Sequence, residues 1–383
     1  MTSGPLAGLP ALVLGAGFGT RLAPLTEHIP KPVIPVLGRP LIGHPLIHLY
    51  ASGCTDVWVN AHHKIERLQA SLDPWLQRRL LKLRVGWSLE QPEILGTAGA
   101  LKKLEPELRR TGEPILMLNG DSILGLDLPG LVAAHRRNRE QGALATLLCL
   151  ADPRADSFGA LRVNAEGRIL ERTGLGGLPD ATEADLAATT PTIFCGVHVI
   201  EPELLDFLPP AGEYGCIVRQ GYVPLMQTRS VDLRAHFAEP DMLFHDVGTP
   251  ERYLDAQADL MAPGGERALS VAPGVDARGA LFQEASYAVE ADGTEHGSPD
   301  VVPGLAGAVL NPPFFFGPAN RVEAGARIGP NATIGAGNVI GAGATVTDAA
   351  LWSRVEVGAG ERIEGKVAAF LGGERHVLDG RPA

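Results

Sequence analysis

A six-residue repeat toward the carboxyl end constrains the fold of this chain more than any other feature of its sequence. From Leu310 to Val346 every sixth residue is aliphatic or aromatic, and after one five-residue step the period continues to Ile363. A short period of this kind predicts stacked repeats, each forming a flat face and a turn around a shared apolar core. The residues at the repeat positions are Leu310, Phe316, Val322, Ile328, Ile334, Ile340, Val346, Leu351, Val357 and Ile363.

The tract RIGPNATIGAGNVIGAGATV within this repeat resembles the hexapeptide repeat of left-handed parallel β-helices. A flexible Gly/Ala linker is the alternative interpretation, but a linker would not carry a large apolar residue at every sixth position. We therefore predict a left-handed parallel β-helix over residues 310–383. Because the faces and ends of such helices commonly associate, we also expect a homo-oligomer.

The chain before the repeat alternates short apolar runs with helical stretches from Ala11 to about residue 262, which predicts a layered α/β domain. Residues 263–309 lose this periodicity and are rich in Gly, Pro, Ala and acidic residues. We interpret them as a linker, with VEADGTEHGSPD as an exposed loop. The predicted order is an α/β domain over residues 1–262, a linker over 263–309 and the repeat domain over 310–383.

Within the α/β domain, apolar runs predict strands and amphipathic stretches predict helices. The last helix has the clearest start, because Thr249 suits the N-cap and Pro250 suits the first helical position. The predicted strands are Ala11–Leu14, Asp56–Asn60, Leu83–Ser88, Ile115–Leu118, Ala143–Leu150, Ile193–Ile200 and Val231–Phe237. The predicted helices are Leu41–Ala51, Ile65–Leu72, Leu131–Arg139 and Pro250–Met261, the last with Leu254, Ala258 and Met261 on one face.

Composition and charge exclude several classes of protein. The 33 Lys and Arg residues against 44 Asp and Glu give a formal net charge of −11, which argues against binding to nucleic acid. The chain shows no apolar run of the length that spans a membrane and no signal peptide at Leu6–Ala16. Its four cysteines are scattered without C-x-x-C or metal-like spacing, so we expect a reduced, cytoplasmic protein.

The stretch LVLGAGFGTRLAPLTEHIPKP follows the first predicted strand and carries the chemistry of a phosphate site. Gly15, Gly17 and Gly19 allow a tight turn whose backbone N–H groups point at an anion. Arg21 and Lys31 add positive charge suited to phosphate oxygens. The third glycine comes one residue too early for the G-x-G-x-x-G turn of dinucleotide-binding proteins. The pattern therefore predicts a phosphate cradle of another kind.

Three phrases in this stretch together resemble the signature of the sugar-1-phosphate nucleotidyltransferases. They are Gly-x-Gly-x-Gly-Thr-Arg-Leu, then Pro-Leu-Thr at residues 24–26, then Pro-Lys-Pro at 30–32. Later motifs follow in the family order over about residues 9–262, and LGTAGALK and LNGD are closest to mannose-1-phosphate guanylyltransferase-like bacterial enzymes. The resemblance implies a Rossmann-like domain with a mixed, mostly parallel sheet.

The family's reaction implies what these residues do. The phosphate oxygen of a sugar 1-phosphate attacks the α-phosphorus of a nucleoside triphosphate, and pyrophosphate leaves. By resemblance, Mg²⁺ is the cofactor, held by Asp121 and Asp246, which lie at strand-to-turn junctions and supply hard oxygen ligands. The implied catalytic residues are Arg21, Lys31 and Asp121. The implied nucleotide-binding residues are Leu14, Gly15, Ala16, Gly17, Gly19, Thr20, Gln91, Gly96 and Thr97.

The base of the nucleotide is left open between GTP and UTP. The phrase EQPEILGTAGALKKL matches the family's base-reading segment and places Gln91 five residues before Gly96. A Gln amide offers one donor and one acceptor, which complements uracil, whereas guanine presents two adjacent donors and prefers a carboxylate. Glu90 could serve guanine if the register shifts by one residue. Our first expectation is a product of the GDP-mannose type.

The sugar site departs from the family at one position. Relatives commonly carry Glu-Lys-Pro after the FGAL strand, whereas this chain has lysines only at 31, 64, 82, 102, 103 and 366. Either Arg172 replaces the missing lysine, or the sugar phosphate is held otherwise, or activity is weak. A non-catalytic regulatory subunit that binds nucleotide sugars is therefore the alternative function. The sugar-binding residues implied by resemblance are Gly159, Glu171, Arg172 and Gly196.

Overall fold

An α/β domain followed by a coil of short parallel strands makes up the chain. The computed structural model describes residues 4–79, 83–153, 155–229, 231–262, 265, 287–289, 295–297, 307–311 and 313–381. The predicted α/β class and the parallel arrangement of the repeat are both observed. No helix in this described part of the chain is long and apolar enough to cross a membrane.

The helices of the α/β domain are mostly short. Two helices are longer than predicted. Leu128–Glu140 begins before its predicted start, and Asp127 caps it by accepting a hydrogen bond from Gly130 N. Ile65–Arg79 continues past its predicted end, through Pro74. The helices are α1 (Leu25–His28), α2 (Gly43–Ala51), α3 (Ile65–Arg79), α4 (Gly96–Lys103), α5 (Glu105–Leu108), α6 (Leu128–Glu140), α7 (Glu183–Ala187), α8 (Val223–Arg229) and α9 (Pro250–Met261).

Helix α9 has the bounds predicted for it, and the predicted cap is present. Thr249 Oγ1 accepts a hydrogen bond from Arg252 N, and Pro250 occupies the first helical position. The buried face, however, is rotated from the predicted one toward Tyr253. Ala258 and Met261, which are predicted to lie on the buried face, are only partly buried. The fully buried side chains of the helix are Tyr253, Leu254, Ala256, Gln257 and Leu260.

The strands of the α/β domain form one large mixed sheet and two small ladders. The seven predicted strands are all present, with ends that differ by up to three residues. The strands are β1 (Pro10–Leu14), β2 (Pro35–Val36), β3 (Arg39–Pro40), β4 (Asp56–Ala61), β5 (Arg84–Leu89), β6 (Ile115–Asn119), β7 (Ser122–Leu124), β8 (Ala145–Ala151), β9 (Leu161–Val163), β10 (Ile169–Arg172), β11 (Gly176–Gly177), β12 (Thr190–Ile200), β13 (Leu233–Phe237) and β14 (Phe244–Asp246).

Strand β1 lies in the middle of the large sheet, whose order is β11-β10-β9-β12-β6-β1-β4-β5, with β8 and β13 continuing from β12. β1 runs parallel to both β4 and β6, and β4 runs parallel to β5. Almost every side chain of β1 is buried, as expected for a parallel strand covered on both faces. The carboxyl ends of β4, β1 and β6 therefore meet at one edge of the sheet, where α/β proteins bind ligands.

The repeat folds as a coil with three flat faces, each made of parallel strands. Register partners along a face are 18 residues apart, as with Val309 and Arg327, and then 17 apart where the sequence has its five-residue step. Nine of the ten predicted core residues are at most 2% exposed, and Leu310 is partly buried against them. The parallel coil strands are β17 (Val309–Leu310), β18 (Phe314–Phe316), β19 (Arg321–Val322), β20 (Arg327–Ile328), β21 (Ala332–Ile334), β22 (Val339–Ile340), β23 (Thr345–Thr347), β24 (Ala349–Leu351), β25 (Glu356–Val357), β26 (Arg362–Glu364) and β27 (Lys366–Leu371). A last strand, β28 (Glu374–Asp379), pairs antiparallel with β27.

The segment interpreted as a structureless linker contains strands, so the loop prediction for VEADGTEHGSPD is wrong in part. β15 (Tyr287–Val289) and β16 (Glu295–Gly297) pair antiparallel with each other, and β15 also pairs with β18 at Phe314–Phe316. Strand β17 also begins at Val309, inside the predicted linker. Short strands without regular periodicity are not visible as such in the sequence, because they are fixed by pairing with the coil. The other residues of 263–309 lie outside the described residues, except 265, 307 and 308.

The coil and the α/β domain share an apolar core. Helix α9 contacts strands β27 and β28, and Phe315, Trp352 and Val367 of the coil cluster with Leu254 and Tyr253 of the helix. Trp352 Nε1 donates a hydrogen bond of 2.9 Å to Tyr253 Oη, which itself donates to the carbonyl of Pro35. The two parts of the chain are thus joined by buried side chains as well as by the backbone.

Candidate active site

A cleft of about 230 Å³ lies at the carboxyl ends of β1, β4 and β6. It collects residues from the glycine-rich turn, from the segment after Glu90 and from the loop after β6. Eight of the site residues expected from the sequence border it. The lining residues are Leu14, Gly15, Ala16, Gly17, Lys31, Pro32, Asn60, Ile94, Gly96, Thr97, Asn119 and Asp121.

The glycine-rich turn begins directly after β1, and Asn60 binds the backbone of its first residue. Gly15 N donates a hydrogen bond of 2.8 Å to Asn60 Oδ1. Gly19 has a φ of +66° and its carbonyl accepts a hydrogen bond from Thr26 Oγ1. Gly19 and Thr20 do not line the cleft; they form the start of a short 3-10 turn, Thr20–Leu22, that leads away from it. Gly15, Ala16 and Gly17 at the start of the turn therefore line the cleft, and the 3-10 turn that follows contains Arg21.

Asp121 and Asp246 stand on neighbouring segments of the backbone, and each carboxylate lies against a cation. Lys31 Nζ lies 2.6 Å from Asp121 Oδ2, and only 7% of the lysine side chain is exposed. Asp246 ends strand β14, which pairs antiparallel with β7 so that Asp246 stands opposite Ser122. Asp246 Oδ2 is 3.1 Å from Arg252 Nη1 and 3.9 Å from Arg21 Nη2. The β7–β14 ladder thus brings together two carboxylates that are far apart in sequence.

Asp121 and Asp246 are the residues here that could hold a magnesium ion. Among the described residues, no group of three or more His, Cys, Asp or Glu side chains could hold a metal ion by itself. Mg²⁺ is usually held in phosphate-transfer sites by one or two carboxylates together with substrate phosphates and water, not by a cage of protein ligands. The donor set of Asp121 and Asp246 meets this requirement.

The base-side segment differs from the expectation at Glu90 and Gln91. Glu90 is fully buried: its Oε1 accepts a hydrogen bond of 2.7 Å from Asn60 Nδ2, and its Oε2 accepts one of 2.7 Å from Leu95 N. Both oxygens are therefore occupied, and Glu90 does not face the cleft to read guanine by a shifted register. Gln91 is exposed and does not line the cleft. Ile94, Gly96 and Thr97 are the residues of this segment that border it.

Helix α4 starts at the cleft and is tied to a distant segment of the chain. Ile217 N donates a hydrogen bond of 2.8 Å to Thr97 Oγ1, and Ala98 N donates one of 2.8 Å to the carbonyl of Gly215. These contacts place the segment around Cys216 next to the nucleotide side of the cleft.

Arg172 stands against Gly159. A Cβ atom added to Gly159, whose φ is +70°, would lie 2.0 Å from Arg172 Nη1, so the guanidinium occupies the space above the glycine backbone. Burial, and secondarily the charge of Arg219, lowers the pKa of Arg172 below its ordinary value. Arg219 therefore acts on Arg172 as a like charge. Glu171 precedes Arg172 on β10 and stands opposite Gly177.

Gly196 lies against Asn119, which lines the cleft. Its φ is +74°, and a Cβ atom there would lie 2.4 Å from Asn119 Nδ2, which leaves room only for glycine. Asn119 lines the cleft next to Asp121. Gly159, Glu171 and Arg172 do not line this cleft; they lie farther along the sheet, on or near β9 and β10.

The sequence prediction missed Asn60 and Asn119 as lining residues. Both stand at or beside the end of a strand that flanks β1, Asn60 on β4 and Asn119 on β6. The available signal is the position at a strand's carboxyl end, which also points to Asp121. Arg252, the partner of Asp246, was also missed, since a charge on the first turn of a helix is usually solvated.

Comparison with known proteins agrees with this geometry. A family model described as nucleotidyl transferase matches residues 10–262. A UTP–glucose-1-phosphate uridylyltransferase of Synechocystis is 26% identical over 369 residues, covering 93% of this chain and 86% of the relative. A mannose-1-phosphate guanylyltransferase of Mycobacterium tuberculosis is 30% identical over 251 residues, covering 66% of this chain and 64% of the relative.

A mannose-1-phosphate guanyltransferase of Pichia angusta is 29% identical over 198 residues, which is 51% of this chain and 50% of that protein. The family match spans the whole α/β domain, from β1 to the end of α9. It confirms the family expected from the phrase between Gly15 and Lys31. The chain therefore belongs to the nucleotidyl transferase family.

Proposed function

We propose that this protein is an enzyme that transfers a nucleoside monophosphate from a nucleoside triphosphate to a sugar 1-phosphate and releases pyrophosphate. The observation that carries the proposal is that Lys31 and Asp121 lie paired in the cleft beside the glycine-rich turn. The Arg21–Asp246 pair stands next to them, since Asp246 is opposite Ser122 in the β7–β14 ladder. Phosphoryl-type transfer needs positioning and charge neutralisation more than a covalent nucleophile, and these residues offer both. The named relatives act on sugar 1-phosphates, which supports the same substrate class here.

The residues of the cleft take distinct parts in this proposal. The backbone of Leu14, Gly15, Ala16 and Gly17 surrounds the triphosphate, and Lys31 contacts the reacting phosphates. Arg21, with 60% of its side chain exposed, reaches toward the departing pyrophosphate. Gly96 and Thr97 border the base, while Gln91 reads its edge from the surface of the same segment.

Asp121 and Asp246 would hold Mg²⁺, which neutralises charge on the phosphates when it is bound. In the structure each carboxylate already faces a cation, Lys31 or Arg252, so their negative charge is balanced without the metal. We infer that Lys31 exchanges its contact with Asp121 for a phosphate oxygen when substrate binds. Removal of divalent cations is expected to abolish turnover.

For the substrates we propose GTP and mannose 1-phosphate first, with UTP and glucose 1-phosphate as the competing pair. The two relatives given above with the largest coverage carry one pair each in their names. On the sugar side, Arg172 takes the place of the lysine that this chain lacks, with Gly159, Glu171 and Gly196 shaping the site.

Pyrophosphate release tests this function directly. Purified protein with Mg²⁺ is assayed against four nucleoside triphosphates and several sugar 1-phosphates, with the Asp121→Ala variant as the matched inactive control. We expect turnover with at least GTP–mannose 1-phosphate or UTP–glucose 1-phosphate. Failure of every pair would contradict the proposal.

The alternative, a non-catalytic regulatory subunit that binds nucleotide sugars, is motivated by the missing lysine alone. It requires ligand binding without turnover in the absence of any partner subunit. The presence of Lys31, Asp121 and Asp246 in one place favours the enzyme. Robust turnover that Asp121→Ala abolishes would reject the alternative.

We also propose that the three-faced coil is left-handed, as its resemblance to hexapeptide β-helices implies, and that the protein forms a homo-oligomer in the cytoplasm. All four cysteines carry free thiols, which suits a reducing compartment. Light scattering of the purified protein tests the assembly.

A further inference from the structure

A buried row of three hydrogen bonds joins the glycine-rich turn to the segment on the opposite side of the cleft. Gly15 N donates to Asn60 Oδ1 over 2.8 Å, Asn60 Nδ2 donates to Glu90 Oε1 over 2.7 Å, and Leu95 N donates to Glu90 Oε2 over 2.7 Å. Glu90 has no exposed surface and Asn60 is 2% exposed. The row therefore runs through the interior and ends on two backbone amides.

The two amides belong to the two walls of the cleft. Gly15 is the first residue of the turn, and Leu95 lies between Ile94 and Gly96, which both line the cleft. Asn60 and Glu90 sit at the ends of the neighbouring parallel strands β4 and β5, whose pairing is kept to Ala61 and Leu89. The row thus spans the distance between the phosphate side and the base side of the site.

The energetic cost of this arrangement indicates that it has a purpose beyond packing. A buried carboxylate is expensive unless hydrogen bonds satisfy its oxygens. Here both donors to Glu90 come from groups next to the cleft, and hydrogen bonds to a charged group are stronger than those between neutral groups. An apolar pair at these positions would fill the same space but would leave the amides of Gly15 and Leu95 without acceptors.

We propose that Asn60 and Glu90 are positioning residues that set the separation of the phosphate-binding turn and the base-side segment, and so control nucleotide affinity. The proposal rests on the nucleotide-binding function proposed above. Neither side chain performs chemistry. Their effect passes through the Gly15 and Leu95 amides, which fix where the two walls stand before the nucleotide arrives.

The pattern of donors and acceptors makes the proposal testable by reversal. In Asn60→Asp the central contact becomes oxygen against oxygen between two buried carboxylates. In Glu90→Gln the new NH₂ group must face either Asn60 Nδ2 or Leu95 N, so donor meets donor. In the double variant N60D/E90Q the introduced amide donates to the introduced carboxylate, while both outer contacts and the net charge are kept.

The experiment measures MgGTP and MgUTP affinity, KM for each substrate and unfolding temperature for the two single variants and the double variant. We expect each single change to raise KM for the nucleoside triphosphate by about 10- to 100-fold, with less than about 3-fold change in KM for the sugar 1-phosphate. The double variant is expected to return to within about 3-fold of the original protein. Glu93→Gln, an exposed carboxylate in the same segment, is the matched control.

Amide hydrogen exchange at Gly15 and Leu95, measured without substrate, tests the pair even if no substrate turns over. Exchange at both amides should accelerate in the single variants and slow again in the double variant. Lack of turnover by the original protein would therefore overturn the proposed function without deciding this inference. A double variant no better than the single ones, or equal losses in KM for both substrates, would overturn the inference itself.

Discussion

Lys31 Nζ lies 2.6 Å from Asp121 Oδ2, and the ammonium is almost wholly buried while the carboxylate is 39% exposed. A buried cation of this kind costs folding free energy unless its partner stays in place. We predict two effects of Lys31→Met. The kcat falls by at least about 100-fold, because charge on the reacting phosphates is no longer neutralised. The unfolding temperature stays unchanged or rises, because no buried cation remains to be paired. Pyrophosphate release and thermal melting measure the two effects.

The control for Lys31→Met is Lys64→Met, since Lys64 is partly exposed and does not line the cleft. That variant should keep full turnover. An unfolding temperature that drops together with kcat in Lys31→Met would show that the ion pair mainly supports the fold, contrary to the prediction.

Arg172 is predicted to contact the phosphate of the sugar substrate, because its guanidinium lies over Gly159 with Arg219 nearby. Arg172→Met should raise KM for the sugar 1-phosphate by about 10- to 100-fold and leave KM for the nucleoside triphosphate within about 3-fold of its original value. Arg162→Met, on the adjacent strand and paired with Asp156, is the control. Equal changes in both KM values would assign Arg172 a structural role instead.

His198 predicts how stability depends on pH. Burial lowers its pKa to about 3, and its Nδ1 lies 2.6 Å from Tyr222 Oη. The unfolded chain binds a proton at this residue below about pH 6.5, whereas the folded protein does not until about pH 3. Because the unfolded state binds more protons in that window, the free energy of unfolding falls as the pH falls from about 6.5 toward 3.

The variant His198→Asn keeps an acceptor near the Nδ1 position and removes the titration. Between pH 7 and 4.5 it should lose about 2 to 3 kcal/mol less stability than the original protein. Urea unfolding at several pH values measures this difference. Parallel losses in the two proteins would mean that His198 does not stay neutral on folding.

Tyr253 is predicted to stabilise the junction between the α/β domain and the coil. Tyr253→Phe leaves the buried Trp352 Nε1 and the carbonyl of Pro35 without their shared partner, which should cost about 2 to 3 kcal/mol. Adding Trp352→Phe removes the orphaned donor, so the double variant should lose less than the sum of the single changes. Tyr214→Phe, with the tyrosine 63% exposed, is the control and should change stability little.

How far the sequence predicts this protein depends on the range of the interactions that decide each feature. The helix from Pro250 and the coil residues at six-residue spacing follow from local signals, and the structure has both. The residues after β1 and Asp121 can also be placed at the cleft from motif spacing and chain order, because the carboxyl ends of parallel strands meet at one edge of the sheet. The family match then confirms the class of enzyme.

Features set by partners distant in the chain are not readable in this way. Glu90 looks like any acidic residue beside a turn, and only its contacts with Asn60 and Leu95 show that it is occupied. Tyr287–Val289 is a strand because Phe314–Phe316 offers an edge to pair with. The rotation of the buried face of α9 toward Tyr253 likewise follows from the coil, which covers that side of the helix.

The contact between α9 and the coil bears on whether the α/β domain can exist by itself. Tyr253 and Leu254 share one apolar cluster with Phe315, Trp352, Val367 and Ala369. The coil therefore serves as an outer layer of the catalytic domain's own core. We expect a chain cut after Met261 to expose this apolar face of α9 to water. Gain or loss of the coil in evolution would then require this face of the helix to change with it.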